Sequence, residues 1–231
     1  CYCNDAYSLV ELIVEQIAQT SYANFVYQKI CIPCELEDTD FQVHDIRKER
    51  IVLAENEFGH DYPQEFVNGI ASGGVVSTAE NISKFMDNLI HGKLISEESL
   101  LLMGKLQMAS PYGFDYNSND RHGLGWDEVE IEPFCSLRQK AWLKNGSTFG
   151  FNSSVIVLYD AEIVVTVLLC DENIKAETIA KKLAYLYLEE PQYKGRTLNP
   201  VEMATEITGL YGGNNKIYRV NSSASKDIEI K

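Results

Sequence analysis

AWLKNGSTFGFNSSVIVLYD, residues 141–160, is the stretch that decides the fold of this chain. A basic and polar triplet, Lys144-Asn145-Gly146, stands between an apolar approach and an alternating run. Large or β-branched residues suit a pleated, half-buried surface, and they recur on both sides of the triplet: Trp142, Phe149, Phe151, Val155 and Val157. The stretch therefore predicts β-structure around the triplet.

A second apolar run, residues 163–169, follows a tight corner at Asp160-Ala161. The two runs are therefore predicted to form adjacent antiparallel strands. On such a strand Lys144, followed two residues later by Gly146, places a fixed cation beside bare backbone. A ligand carboxylate can meet the ammonium while its carbonyl reaches an exposed N–H.

The composition is that of a globular protein. The 231 residues are enough for one sizeable core, or for a core with a small appendage. The net charge of −14 disfavours nucleic acid and anionic membranes as partners. No apolar run has the length of a transmembrane helix. The chain begins at Cys1 rather than at methionine, so we expect it to be processed, trimmed or incomplete.

Two cysteine pairs, Cys1-x-Cys3 and Cys31-x-x-Cys34, supply the ligand count of a structural zinc site. Disulfide pairing is a second interpretation. The interpretation that we favour is small apolar residues in a reducing or oxygen-free setting. No metal or other cofactor is predicted, because the four histidines show no ligand spacing: His44, His60, His91 and His122.

Helical periodicity begins close to the N-terminus. Apolar residues recur at helical spacing over residues 6–17, with Asn4 or Asp5 available as the N-cap. A second helix is predicted over residues 22–30, and Pro33 is predicted to close it.

A sharp helix start is predicted after ASGGVVSTAE, residues 71–80. Ser77 and Glu80 have the spacing of a capping box. Gly92 is predicted to end this helix as its C′ residue, and Ser96 to cap a following short helix.

The C-terminal part contains a helix and a change of composition. Residues 174–188 show a helical pattern that could lie across the sheet. Residues 191–200 are interpreted as a linker, and two short alternating runs follow it. We therefore predict an α+β domain over residues 1–190, followed over residues 191–231 by a linker and the truncated start of a small β module.

Five segments occur in an order that resembles one enzyme family. YCN at residues 2–4 is similar to Tyr-x-Asn, and IPCELEDT at residues 32–39 to Pro-Leu-Gly-Met-x-x-Thr. ASGGVVSTA at residues 71–79, GLGW at residues 123–126 and KNG at residues 144–146 are similar to Gly-Gly-x-x-Ser-Thr-Ala, Gly-Leu-Gly-Trp and Lys-Thr-Gly or His-x-Gly. The chain resembles the penicillin-binding and β-lactamase-type serine hydrolases, especially class C β-lactamases and D-alanyl-D-alanine carboxypeptidases.

The resemblance implies a role for each matching residue. Tyr2 would be the base or proton relay, and Asn4 would hold the substrate amide and a catalytic lysine. Lys144 would attract a substrate carboxylate, and its charge would favour the ionised form of Tyr2. The backbone N–H of Ser147 would form half of the oxyanion hole. The resemblance thus assigns substrate binding to four consecutive residues: Lys144, Asn145, Gly146 and Ser147.

One family motif is absent from its usual place. The nucleophile of the family lies in Ser-x-x-Lys, well upstream of Tyr-x-Asn. Here Ser223-Ala224-Ser225-Lys226 is the only such sequence, and it lies in the tail. The resemblance therefore implies a β-lactamase/transpeptidase-like α+β fold that is N-terminally incomplete, with the nucleophile outside this chain.

Three functions follow from this resemblance. In the first, the chain is part of a serine hydrolase that cleaves peptides, β-lactams or esters, is inactive alone, and binds a carboxylate-bearing substrate. The missing N-terminal half would then come from the parent chain. In the second, it is a non-catalytic relative that binds a ligand or partner through the remaining cleft. In the third, Cys3 acts as a thiol nucleophile. Family membership implies an exported or membrane-associated location.

Overall fold

The region around residues 141–169 folds into an antiparallel sheet in the computed structural model. Its four strands, in spatial order, are β1 (Glu128–Val129), β2 (Ala141–Thr148), β3 (Phe151–Leu158) and β4 (Ile163–Leu169). The predicted pairing of the runs on either side of Asp160 is confirmed. The structure describes residues 3–41, 70–107, 121–148, 150–171 and 174–189, and strand residues 197–198, 209–213, 216–222 and 228–230.

The alternating pattern of β2 separates two apolar layers. Ala141 and Leu143 belong to a buried cluster on one face of the sheet, together with Ile156 and Leu158 of β3. Trp142 belongs to a second cluster on the opposite face. Because side chains on a strand alternate between faces, Lys144 shares the face of Trp142, whereas Asn145 shares the face of Leu143.

The first face is covered by α7 (Ala176–Glu189). Ile179 and Leu183 of this helix are buried against β3 and β4, which confirms that the helix lies across the sheet. The Ala176 backbone N–H donates to Asn152 Oδ1 over 2.8 Å, so a β3 side chain satisfies one donor of the first helical turn.

The second face is covered by α5 (Ala79–Ile90) and α6 (Glu97–Met103). Met86, Leu89, Ile90 and Leu100 bury their side chains with the two tryptophans of this layer. A buried hydrogen bond of 2.9 Å joins Ser83 Oγ on α5 to Thr166 Oγ1 on β4. The hydroxyl pair stabilises this contact because neither group is left unsatisfied.

The ends of α5 and α6 follow the sequence signals with one exception. Ser96 caps α6 by accepting from the Ser99 N–H, and Gly92 stands just past α5 with a φ of +74°, so both predictions are confirmed. The cap of α5 is Thr78, whose side chain accepts from the Asn81 N–H, and not Ser77. The Ser77 hydroxyl is instead engaged with Thr39 Oγ1 at 2.7 Å.

The N-terminal region contains α1 (Asn4–Ala18), α2 (Tyr22–Val26), a π-helical turn (Tyr27–Cys31), α3 (Ile32–Cys34) and α4 (Ile70–Gly73). The prediction that Pro33 closes the second helix is wrong, because the helix continues to Cys34 and ends at Glu35 with a φ of +56°. The wider π turn before the proline accommodates a residue that has no N–H to donate.

The predicted helix α1 forms, but its apolar stripe lies on the surface of the described structure. The N-cap is Cys3, and Asn4 is the first helical residue, so the predicted cap at Asn4 or Asp5 is wrong. Four apolar residues at helical spacing are between 56% and 80% exposed: Leu9, Leu12, Ile13 and Ile17. The periodicity thus predicted the helix correctly, although no described element buries this face.

The five described cysteines are free thiols: Cys3, Cys31, Cys34, Cys135 and Cys170. Cys31 and Cys34 are buried in a small apolar cluster of the N-terminal helices, as the apolar interpretation predicts. Burial raises the pKa of both thiols. Within the described residues no group of potential ligands could hold a metal ion; Cys1, His44 and His60 lie outside them.

The C-terminal strands form a second antiparallel sheet. Its order is β5 (Thr197–Leu198), β8 (Ile228–Ile230), β7 (Lys216–Ser222) and β6 (Gly209–Gly213). The division into a domain over residues 1–190 and a module after it stays a prediction. No helix of the described ranges is long and apolar enough to cross a membrane.

Candidate functional site

The ammonium of Lys144 is held by a carboxylate that the sequence analysis did not single out. Lys144 Nζ donates to both carboxylate oxygens of Asp127, at 3.0 and 2.9 Å, and to the Asn145 carbonyl at 2.7 Å. The Lys144 side chain is 30% exposed and that of Asp127 is 22% exposed. The cation is thus partly withdrawn from water and fixed in direction.

The same carboxylate closes the outer edge of β2 at Asn145. The Asn145 N–H donates to Asp127 Oδ2 over 2.7 Å. Because the Asn145 carbonyl accepts from Lys144, both backbone groups of this residue are engaged. The Asp127 N–H donates to the Leu143 carbonyl over 2.9 Å, so this acid also extends the pairing of β1 with β2 by one residue.

Beyond Asn145, β1 no longer pairs with the outer edge of β2. The Lys140 carbonyl accepts from the Tyr159 N–H on the β3 side, whereas the Leu143 carbonyl and the Asn145 N–H bond on the β1 side. Backbone groups of successive residues point to opposite edges of a strand, so those of Ser147, two residues after Asn145, point to the β1 side. Ser147 is exposed, and β1 pairs only with Trp142 and Leu143.

Gly146 lets β2 and β3 approach closely next to this edge. It pairs with Ser153, whose hydroxyl donates to the Gly146 carbonyl over 3.3 Å. A Cβ at Gly146 would lie 2.5 Å from Ser153 Oγ. A side chain at this position would therefore force the Ser153 hydroxyl to rotate away from the Gly146 carbonyl, so glycine preserves this contact.

The Asn145 side chain lies on the opposite face from Lys144. Its Nδ2 donates to Glu177 Oε2 over 2.9 Å, at the start of α7. Glu177 Oε1 in turn accepts from Lys181 at 2.7 Å, and Lys181 also donates to Glu128 at 2.5 Å. A chain of polar contacts thus connects α7 to β1 and β2 behind the triplet.

Lys181 is held in its charged form by this chain of contacts. Burial alone would lower the pKa of Lys181, but hydrogen bonds to Glu128 and Glu177 and the charges of these carboxylates outweigh burial and raise it above 10.5. A lysine whose pKa is higher in the folded than in the unfolded protein stabilises the fold at any pH below its unfolded-state pKa. This stability is lost as the pH rises through its folded-state pKa.

We expect Lys181→Met to lower the free energy of unfolding by about 1 kcal/mol at neutral pH, because two carboxylates lose their partner. The deficit relative to the wild-type protein should shrink as the pH rises above about 10.5, where the wild-type lysine also loses its charge. Urea unfolding at several pH values measures this difference. Lys175→Met is a control on the exposed surface before α7. A deficit that does not change with pH would contradict the charge argument.

Asp127 is placed by the tight loop that precedes β1. The Gly123 N–H donates to the Trp126 carbonyl over 3.1 Å, and a Cβ at Gly123 would lie 2.5 Å from the Met103 carbonyl oxygen. Trp126 is 4% exposed, and its ring lies 5.7 Å from that of Trp142. The Gly-Leu-Gly-Trp segment thus anchors the residue that follows it.

The predicted site residues do not all fall within the described structure. Tyr2 lies outside the described residues, as does Ser223-Ala224-Ser225-Lys226. Asn4 is exposed in the first turn of α1, and its carbonyl accepts from Ser8 Oγ at 3.5 Å. The structure thus brings the β2 triplet and Ser147 together and adds Asp127 and Glu177. The sequence signal for Asp127 was its position directly after the glycine-rich motif.

The family model named β-lactamase matches residues 1–186, which is most of the chain. The chain belongs to the β-lactamase family. No curated protein sequence matches it. The helices, the four-stranded antiparallel sheet and α7 are those of the β-lactamase/transpeptidase-like fold, as predicted.

Solved structures of this fold resemble the chain at low sequence identity. The octameric penicillin-binding protein homologue from Pyrococcus abyssi is 20% identical with a TM-score of 0.67; the match covers 99% of this chain and 54% of that one. The D-amino acid amidase from Ochrobactrum anthropi SV3 is 20% identical with a TM-score of 0.63, covering 82% of this chain and 57% of that one.

The β-lactamase/D-alanine carboxypeptidase from Pseudomonas syringae is 17% identical with a TM-score of 0.62, and the match covers 83% of this chain and 59% of that one. The present β-lactamase-family chain therefore spans somewhat more than half the length of each of these proteins.

Proposed function

We propose that the complete protein is a hydrolase that cleaves a peptide, β-lactam or ester through a serine acyl-enzyme. The observation that carries this proposal is the outer edge of β2, where a fixed ammonium stands beside exposed backbone. Lys144 is held in place by Asp127, and three residues later the backbone of Ser147 points past the end of β1. A substrate can pair with this edge as an additional strand.

The chemistry of acyl transfer fits this edge. When a serine Oγ attacks a carbonyl carbon, the carbonyl oxygen becomes an oxyanion that needs N–H donors at about 3 Å. The Ser147 N–H would be one of these donors. Gly146, which directly precedes Ser147, has no side chain that would obstruct the substrate.

The remaining roles are proposals from family membership. Tyr2 would accept and return the serine proton, and Asn4 would hold the substrate amide. Within the described structure the Asn4 side chain makes no hydrogen bond, so it is available for a ligand. Hydrolases that act on amides of D-amino acids and on D-alanine peptides are among the structural neighbours, which supports an acyl substrate.

The test is covalent labelling of the protein expressed from the complete open reading frame that contains these residues. A fluorophosphonate should phosphonylate one serine with loss of HF, and benzylpenicillin should acylate the same serine by opening its β-lactam ring, as intact-protein and peptide mass spectrometry would show. Each probe hydrolysed beforehand, which can no longer phosphonylate or acylate a serine, is the control. A protein that takes up neither probe, although its fold is intact, would contradict catalysis and favour the non-catalytic relative that binds a ligand through its cleft.

A further inference from the structure

The charged side chains around the β2 triplet do not form a positively charged site for an anion. Lys144 shares both oxygens of Asp127, and Lys181 lies between Glu128 and Glu177. Two ammonium groups thus stand among three carboxylates. Among the described side chains, the two groups of contacts on either face of the strand thus carry no net positive charge, and Lys144 itself is paired with Asp127.

We propose that Asp127 sets the substrate class of the site by neutralising Lys144, so that the enzyme prefers acyl compounds without a carboxylate at this position. This inference rests on the proposed hydrolase function. It replaces the expectation from sequence that Lys144 selects an anionic substrate. Asp127 acts through Lys144 and is therefore a positioning residue that determines specificity.

The geometry explains why the effect is not screened. A substrate carboxylate bonded to Lys144 Nζ would lie two hydrogen-bond lengths, about 6 Å, from the Asp127 carboxylate. This separation is shorter than the screening length of about 8 Å at physiological ionic strength. Both groups are mostly withdrawn from water. Repulsion from Asp127 would therefore cancel most of the attraction that Lys144 provides.

The hydrogen bonds that Lys144 donates also disfavour a substrate carboxylate. Lys144 Nζ has three protons, and the bonds to Asp127 and to the Asn145 carbonyl engage it on the side of the strand edge. Asp127 is itself fixed by the Asn145 N–H, so it cannot turn away without leaving that donor unsatisfied. A carboxylate substrate would have to compete with a preorganised partner.

A matched pair of esters tests the inference in the complete protein. Phenylacetate esters of meta-hydroxybenzoate and meta-hydroxybenzamide differ by a carboxylate against a carboxamide. The wild-type protein should show a ratio of kcat/KM, carboxylate to carboxamide, below one. Asp127→Asn should raise this ratio about tenfold, through a KM that falls for the carboxylate ester relative to the carboxamide ester. Asp127→Glu, which restores the charge, should keep the ratio low.

Asp160→Asn is the control variant. Asp160 also accepts from a lysine ammonium and from a backbone N–H, those of Lys140 just before β2, but at the opposite end of the strand. This variant should leave the ratio unchanged. A ratio that does not respond to Asp127→Asn, or an equal loss for both esters, would overturn the inference and reduce Asp127 to a structural role.

A protein that hydrolyses neither ester and takes up no covalent probe would overturn the proposed function but not this inference. Isothermal titration with meta-hydroxybenzoate and meta-hydroxybenzamide then gives the same ratio from binding constants. Asp127→Asn should strengthen benzoate binding about tenfold relative to the benzamide. Unchanged relative binding would overturn the role of Asp127 in the absence of catalysis.

Discussion

Replacing Lys144 by alanine should lower kcat/KM of the complete protein by about a hundredfold to a thousandfold, because its ammonium fixes Asp127 and the Asn145 carbonyl beside the proposed oxyanion donor, and acyl transfer depends on such preorganised geometry. The Lys144 ammonium donates to both Asp127 carboxylate oxygens and to the Asn145 carbonyl. The loss should appear with uncharged as well as charged ester substrates. Initial rates over a range of substrate concentrations measure it.

The same change also leaves Asp127 without its cation, so an effect on folding must be separated from an effect on catalysis. The double variant Asp127→Asn with Lys144→Ala removes both charges and should regain much of the lost stability without regaining activity. Lys140→Ala, which breaks the Lys140–Asp160 pair at the other end of β2, should keep full activity. A Lys144→Ala protein with wild-type kcat/KM would contradict a catalytic role for this strand.

Trp142→Ala should lower the free energy of unfolding by about 3–5 kcal/mol, because it removes a large side chain from a tightly packed layer. Trp142 is 2% exposed, and its ring lies 5.7 Å from the Trp126 ring and 5.2 Å from the Tyr159 ring. A Cβ at Gly104, directly after α6, would lie only 2.1 Å from the indole Cε2, so the backbone at the end of α6 packs directly against the Trp142 ring. Urea unfolding followed by fluorescence and circular dichroism measures the loss.

Tyr159→Phe is the matched control in the same aromatic group. It keeps the ring and removes only the exposed hydrogen bond of 3.0 Å from Tyr159 Oη to Glu97. The expected cost is at most about 1 kcal/mol. If Trp142→Ala cost no more than this control, the aromatic layer would not be the element that fixes β2 beneath the helices.

The parts of the fold that could be predicted from sequence are those set by local patterns. The β3–β4 pair follows from two apolar runs around Asp160, and α7 from helical spacing on a buried face. The ends of α5 and α6 follow from Gly92 and Ser96, whose backbone and side-chain chemistry act within one turn. Such signals lie within a few residues of their effect.

The features that sequence missed depend on distant contacts. Ser77 and Thr78 are both good caps, and the choice between them depends on Thr39, which engages the Ser77 hydroxyl. The hairpin between β2 and β3 turns at Gly150, where the φ is +73°, within what looked like one alternating run. No local pattern distinguishes a glycine that turns the chain from one, like Gly146, that pairs within a strand.

The candidate site divides in the same way. Motif order predicts that the triplet on β2 is the functional strand, which stays a prediction, and the contact of Gly146 with Ser153 favours glycine there. The partner of Lys144 lies 17 residues earlier in the chain, and that of Asn145 lies 32 residues later. Contacts of this range arise from the packing of β1 and α7 on the sheet, which no spacing rule in the sequence encodes.

The most direct test is a crystal structure of the complete protein after reaction with a fluorophosphonate, in which the serine Oγ bonds to phosphorus and fluoride leaves. We predict that the phosphonyl oxygen lies about 3 Å from the Ser147 backbone nitrogen, on the outer edge of β2 beside Lys144. An adduct bound away from this edge, with the Ser147 N–H directed into other protein contacts, would contradict the assignment of β2 as the substrate-binding strand.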